Sequence, residues 1–432
     1  MALEIRAPEI EEALRLSLQG DLGFRGQLTS YSTHSVHAFA AKFPPQLPKT
    51  FIEALTSPGD TILDPMVGSG TAVLEGALLG RRAIGIDIDP LALKISQAKT
   101  CSAEPEEALL YAEGIADWAR SAVAEPTVFR LKELFLEHYS ESARRFFGYW
   151  FKEPTIWELT ALIQGIERVA PPRLRPFFEV VFSSIIVTKS GGVSRARDLA
   201  HSRPHLDTSK PVANAIDAFW GKARRIAAAV AGLPRDMPQP LIVAGDCRLL
   251  PIEPACVDLI VTSPPYANAI DYVRAHKFSL IWLGHRPEAL SQKRREYIGA
   301  EVDRHGEISS PIAKTTIQAI AEVDQRRAKI VATYFTDMRT CLKEMLRVLR
   351  PGKAAVIVVG ASTIRGIKVK TPLALAEIAE DLGFKVVAVQ PRPIDRDRRL
   401  MPISRNGNGE GIEARMHEEH VIGLLKPGRD TS

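Results

Sequence analysis

The stretch "LDPMVGSGTAVLEGALLGRRAIGIDIDP" (63–90) restricts the fold more than any other part of the chain. "DTILDP" (60–65) reads as a short buried strand, "GSGTAVLEGALLG" (68–80) as a glycine loop and helix, and "RRAIGIDID" (81–89) as a second strand. Two strands joined by a helix in so few residues must lie parallel, with a right-handed crossover. Helical stretches at 46–57 and 90–100 continue the alternation on either side. Strand signals return at 241–246, 257–263, 354–360 and 384–390, and the run 419–426 closes the series. The expected fold is α/β, one largely parallel sheet with helices on both faces.

Two interruptions stand out. Residues 103–238 carry long helical stretches around a polar, basic run, "TKSGGVSRARDLAHSRPHLDTSK", and read as a helical insertion into the sheet. A second insert of about 45 residues follows "WLG" at 282–284. The expected units are therefore a first half at 30–102, the insertion at 103–238 and a second half at 239–428. With 45% hydrophobic and 25% charged residues the composition is that of an ordinary globular protein. No apolar run approaches the roughly 20 residues that span a bilayer, and the first twenty residues lack a signal-peptide core. The four cysteines are scattered, without C-x-x-C pairs, which points away from a metal site or a disulfide framework and toward the cytoplasm. A net charge of +5 permits a polyanionic partner without requiring one.

The predicted strand ends collect chemistry. Gly68 and Gly70 follow the first strand, where glycines let a ligand approach the backbone and free helix N–H groups can meet an anion. The third position of a dinucleotide fingerprint is Val73, and no Gly-Lys-Ser/Thr run makes a phosphate loop. Asp87 ends the second strand 17 residues past Gly70, placed either to accept both hydroxyls of a ribose or to cap the next helix. Asp246 ends a third strand, where an acceptor could take an adenine amino group or simply form a turn. Asp64, Gly68, Asp87, Asp246 and Ser263 thus share one rim, the place where open parallel sheets bind ligands. The last of these opens "SPPY" (263–266), in which two prolines end strand pairing and stiffen the chain before an aromatic.

Together these residues resemble the amino-group DNA methyltransferases that use S-adenosylmethionine. "LDPMVGSGT" is similar to that family's cofactor motif, with Met66 in place of the usual Phe, and "HAFAAKFPPQLP" (37–48) resembles the segment that wraps the methionine part of the cofactor. "SPPY" matches the catalytic tetrapeptide in its Ser form. The resemblance covers roughly 37–100 and 241–360 and implies a Rossmann-like class I methyltransferase sheet with a large helical insertion. It assigns Lys42, Phe43, Asp64, Pro65, Gly68, Gly70, Thr71, Asp87 and Asp246 to S-adenosylmethionine, and Ser263, Pro264, Pro265 and Tyr266 to catalysis.

An exocyclic amino nitrogen is a poor nucleophile because its lone pair is conjugated into the ring. Acceptors on its protons, here the Ser263 hydroxyl and the Pro264 carbonyl, would favour pyramidal geometry, and Tyr266 would stack on a base flipped from the duplex. The Ser form resembles members acting on cytosine N4. Adenine N6, or a guanine amino group in RNA, remains the alternative substrate. Double-stranded DNA is the implied partner, with a cognate restriction enzyme beside it. Residues 189–235 hold nine Lys/Arg against three Asp/Glu, and Arg195, Arg197 and Arg203 are the expected phosphate contacts. Beyond the tetrapeptide, Asp271 and Arg274 are expected to pair on a helix, and Tyr272 and Trp282 to lie in the core.

Overall fold

A computed structural model describes residues 7–40, 42–124, 127–188, 191–199, 204–267, 272–302, 304, 306–394 and 418–428. Seven strands form one sheet: β1 (Thr61–Asp64), β2 (Arg82–Asp87), β3 (Leu241–Ala244), β4 (Val257–Thr262), β5 (Leu349–Gly360), β6 (Lys385–Pro393) and β7 (Glu418–Leu425). Their order across the sheet is β6-β7-β5-β4-β1-β2-β3. All neighbours pair in parallel except β7, which runs antiparallel to both β5 and β6. This is a doubly wound, Rossmann-like sheet, with its order reversing between β1 and β4.

β4 illustrates why the sequence makes this sheet. All six residues of "VDLIVT" are buried, and the side chains alternate between the two faces. Ile260 joins the apolar cluster on one face with Met338 and Leu342, while Leu259 and Val261 join the cluster on the other with Phe51 and Ile52. A strand covered on both sides has no polar face to show, which is why it reads as a continuous apolar run.

Around the sheet lie α1 (Ala7–Gln19), α2 (Gln46–Leu55), α3 (Thr71–Leu78) and α4 (Pro90–Lys99). Between α4 and β3 come α5 (Pro105–Val123), α6 (Val128–His138), α7 (Glu141–Trp150), α8 (Glu153–Val169), α9 (Arg175–Ile186) and α10 (Ala215–Val230). These six helices share one apolar cluster with Leu91 and Ile95 of α4 and with Phe278 and Trp282 of α11 (Tyr272–Trp282). The insertion is thus packed onto the flank of the sheet layer. Trp282 is fully buried, its ring stacked 3.8 Å from that of Phe147. The Tyr272 side chain and Asp271 lie outside the described residues. The second insert holds α12 (Pro287–Lys293), the segment 294–302 and α13 (Pro311–Val323), and leads into α14 (Gln325–Val348); α15 (Thr371–Asp381) follows β5. Among the described residues no helix is long and apolar enough to cross a membrane.

Observed boundaries differ from the expected ones where caps decide. The helix after the glycine loop starts at Thr71 rather than Gly68, because Gly68 (φ 47°) and Gly70 (φ 74°) are both left-handed. β5 begins at Leu349, five residues before the apolar run that announced it.

Candidate active site

At the carboxyl ends of β1, β2, β3 and β4 lies a cavity of about 230 Å³. The loop after β1 supplies Asp64, Pro65, Gly68 and Thr71, and the tip of β2 supplies Asp87 and Asp89. Asp246 and Arg248 follow β3, and Ser263 and Pro265 follow β4. Phe39, Lys42 and Phe43 enter from the N-terminal segment, and residues 296–301 of the second insert close the far wall with Arg294. Of the expected site residues, Gly70, Pro264 and Tyr266 are not on the cavity wall. Gly70 instead caps α3, where an added Cβ would lie 2.7 Å from the Ser96 hydroxyl. Pro264 and Tyr266 are buried on the other side of the tetrapeptide.

The carboxylates hold the rim together. Asp64 is 2% exposed and its Oδ1 accepts from the Thr262 hydroxyl at 2.7 Å, tying the tips of β1 and β4 across the switch point. Burial pushes its carboxyl up to about 7. Asp87 accepts from Gly68 N at 2.8 Å and from Asp89 N at 2.9 Å, so it shapes the glycine loop from the neighbouring strand. Burial, with Asp89 close by, pushes it up to about 6. Asp87 does not cap α4. That role falls to Asp89, whose Oδ1 accepts from Leu91 N at 2.8 Å while its Oδ2 lies 2.6 Å from His276 Nδ1.

Asp246 is not the lone acceptor that the sequence suggests. Arg248 donates to both of its oxygens and also reaches Asp337 Oδ1 at 3.0 Å. Burial alone would raise the Asp246 carboxyl; the guanidinium outweighs it and holds the group below the usual range. A D-x-R spacing at a strand tip is the sequence signal for this pair, since two residues is the reach of an arginine folding back on its own turn.

The N-terminal segment is fastened from below. Glu75 of α3 is 2% exposed and accepts from the Tyr31 hydroxyl at 2.7 Å, with His34 Nε2 2.6 Å away. Lys42 Nζ donates to His34 O at 2.7 Å. The ring of Phe39 fills the space beside Gly68, where a Cβ would stand 3.3 Å from it. These contacts carry Phe39, Lys42 and Phe43 to the cavity.

None of the wall comes from the insertion. Arg195 donates to the Gly148 and Tyr149 carbonyls at 2.8 and 2.6 Å. Arg197 is exposed and paired with Asp207 at 2.5 Å. Arg203 lies outside the described residues.

The residues present suit an adenosyl cofactor. A cavity walled by Phe39 and Met66 has the Asp87 carboxylate at the β2 tip, a glycine loop without intruding side chains and the Asp246 carboxylate after β3. Residues 24–98 match the N6_N4_Mtase family model, described as DNA methylase. The chain is similar to the Type II methyltransferase M.MvaI of Kocuria varians, at 26% identity over 83% of each chain. It is also similar to the Type II methyltransferase M.BsoBI of Geobacillus stearothermophilus, at 24% identity over 85% of this chain and 82% of that one. Among solved structures, a TehB-like SAM-dependent methyltransferase from Corynebacterium glutamicum is 11% identical, covers 88% of this chain and 86% of that one, and has a TM-score of 0.29. The DNA methylase match lies across the glycine loop and both carboxylate tips of β1 and β2, so the part of the chain that resembles DNA methylases is the part that walls this end of the cavity.

Proposed function

We propose that the protein methylates the exocyclic amino group of cytosine N4 within a specific sequence of double-stranded DNA. The observation that carries this reading is the opening of Ser263 and Pro265 into the same cavity as Asp64, Gly68 and Asp87. S-adenosylmethionine supplies an activated methyl group when bound. Asp87 would take the ribose hydroxyls; the glycine loop with Lys42 and Phe43 would take the methionine end, Asp64, Pro65 and Thr71 lining the path between. Asp246, already paired with Arg248, would present that pair to the adenine edge rather than a free carboxylate.

The Ser263 hydroxyl and the Pro264 carbonyl accept from the target amino group, freeing its lone pair from the ring. Both prolines keep those acceptors fixed, so little reorganisation is needed as the nitrogen becomes tetrahedral. Ser263 is too weak a base to hold the departing proton, which passes to water after transfer. Tyr266 stands off the cavity wall at 6% exposure, so the stacking on a flipped base expected from the sequence would require its ring to leave that position, and its proposed part here is to hold the tetrapeptide in place. The Ser form of the tetrapeptide favours cytosine over adenine N6. Phosphate contact falls to the basic loop of the 103–238 insertion, through Arg197 and Arg203, and the Type II names of the similar proteins support a restriction enzyme as partner. Expression in a methylation-free host followed by sequencing of its DNA for modified bases tests the whole reading. N4-methylcytosine in a fixed sequence context is expected, N6-methyladenine would move the assignment to adenine, and unmodified DNA would overturn it.

A further inference from the structure

The tetrapeptide alternates. Ser263, Pro265 and Ala267 line the cavity, while Pro264 and Tyr266 turn away from it into the protein. Tyr266 is 6% exposed, and its hydroxyl donates to Glu419 Oε1 at 2.5 Å. Glu419 is itself buried and paired with the guanidinium of Arg392, whose Nε donates to Leu22 O at 3.0 Å.

Sheet register explains how three distant residues meet. Thr262, at the end of β4, pairs with Ile357 of β5. Further along the same rim Gly360 of β5 pairs with Glu419 of β7, and Glu419 with Arg392 of β6. Arg392 and Glu419 are therefore direct cross-strand neighbours at the edge toward which the tetrapeptide leaves β4.

A buried ion pair is a poor choice for stability alone, because desolvation offsets most of the attraction and an apolar pair of similar volume often does as well. A buried phenol, in contrast, needs a partner for its hydroxyl. We propose that Glu419, held by Arg392, is a positioning residue for methyl transfer: it fixes Tyr266 through its hydroxyl and so sets Ser263 and Pro265 against the cavity. This rests on the tetrapeptide being the catalytic element. Neither Glu419 nor Arg392 touches the cavity, so their effect on the reaction runs through Tyr266.

A double-mutant cycle on the full chain tests this, with Tyr266→Phe, Glu419→Gln and both together, using tritiated S-adenosylmethionine and DNA from a methylation-free host. Each single change is expected to lower kcat by at least about tenfold, and the double to lower it no further, as coupled residues do. Affinity for S-adenosylmethionine and KM for DNA should stay within about threefold, since the contact acts on geometry at the reacting centre. Glu419→Gln leaves Arg392 short of a counter-charge, so Arg392→Met with Glu419→Leu provides a second arm. That pair restores apolar packing without the anchor, and should match the parent in Tm while keeping the low kcat. Parental kcat in Glu419→Gln or in the Met/Leu pair, or additive losses in the cycle, would overturn the anchor and leave the tetrapeptide in place. Parental kcat in Ser263→Ala would remove the tetrapeptide, and the anchor with it.

Discussion

The rim of the sheet and the basic loop of the insertion both gather charge, and they use it in opposite ways. At the rim, Asp64 and Asp87 spend some of their hydrogen-bonding capacity on hydroxyl and backbone N–H partners and still line an open cavity. In the loop, Arg195 is committed to two carbonyls, Arg197 to Asp207, and Lys210 to the carbonyls of Ser194 and Ala196. Buried carboxylates without a cationic partner are pushed upward in pKa, which marks a site built for something outside the chain. Arginines on carbonyls mark a loop that is holding itself together. Charge count alone does not distinguish the two; the partners do.

The sharpest way to break this contrast is Asp87→Ala. If its carboxylate serves the ribose, affinity for S-adenosylmethionine should fall by well over tenfold, because a charged hydrogen bond lost from a site contributes about 1.5–3 kcal/mol. Calorimetry reads it, and unchanged affinity would remove Asp87 from the site. The pH dependence carries a sign. The folded carboxyl titrates near 6 against an ordinary 3.8. Its favourable contribution to stability is full below the ordinary value and is lost as pH rises through 6. The ionised acceptor appears around the upper of these values, so cofactor affinity should strengthen between about pH 5 and 7, while the ligand-free protein loses stability mainly between about pH 4 and 6. Asp87→Asn should flatten both slopes.

Next in size is a pair of glycines. Gly70 at the rim and Gly191 in the loop are both left-handed, at φ 74° and 73°. An alanine at 70 would add a Cβ 3.0 Å from the Ser96 backbone as well as 2.7 Å from its hydroxyl, whereas at 191 it would meet open space. Gly191→Ala should therefore cost only the backbone strain, about 1 kcal/mol, while Gly70→Ala adds overpacking of about 1–3 kcal/mol. Thermal melts of the two variants compare them directly; equal losses would mean that α4 yields to the new methyl group.

What the sequence disclosed follows from the same contrast. The strand segments along the chain, the glycine loop and the carboxylate tips are local: each lies within a few residues of the strand that positions it, so a period and a turn residue suffice to place it. The order of the strands across the sheet, in contrast, is not read from the sequence. Arg248 was visible in principle, two residues from its partner. Asp89 sits inside the quoted motif, but which of two aspartates caps α4 depends on where the helix starts. Glu75 beneath Tyr31 and His34, and Glu419 beneath Tyr266, lie 44 and 153 residues from the groups they hold. No spacing rule reaches that far. The wall from the second insert, residues 296–301, carries no motif at all, and the orientation of Tyr266 depends on an acceptor that only the folded sheet brings near.

The smallest effects concern the basic loop. Arg195→Ala removes two hydrogen bonds to carbonyls and should cost about 1–2 kcal/mol of stability, charge-assisted bonds being worth more than neutral ones. The slope of DNA affinity against salt should barely move, because that guanidinium is already occupied. Arg197 is exposed, and its surface pair with Asp207 contributes little to stability. Its release to a phosphate would leave Asp207 in water, so exchanging one partner for the other is cheap. Arg197→Ala should therefore leave the melting temperature in place and reduce the salt slope by about one, the signature of a single lost phosphate contact. A salt titration of duplex binding for both variants decides between loop and lattice of contacts elsewhere. If Arg197→Ala keeps the parental slope, the backbone of the DNA is held by other residues, with "QKRREY" at 292–297 next in position because Arg294 and Glu296 already stand at the cavity.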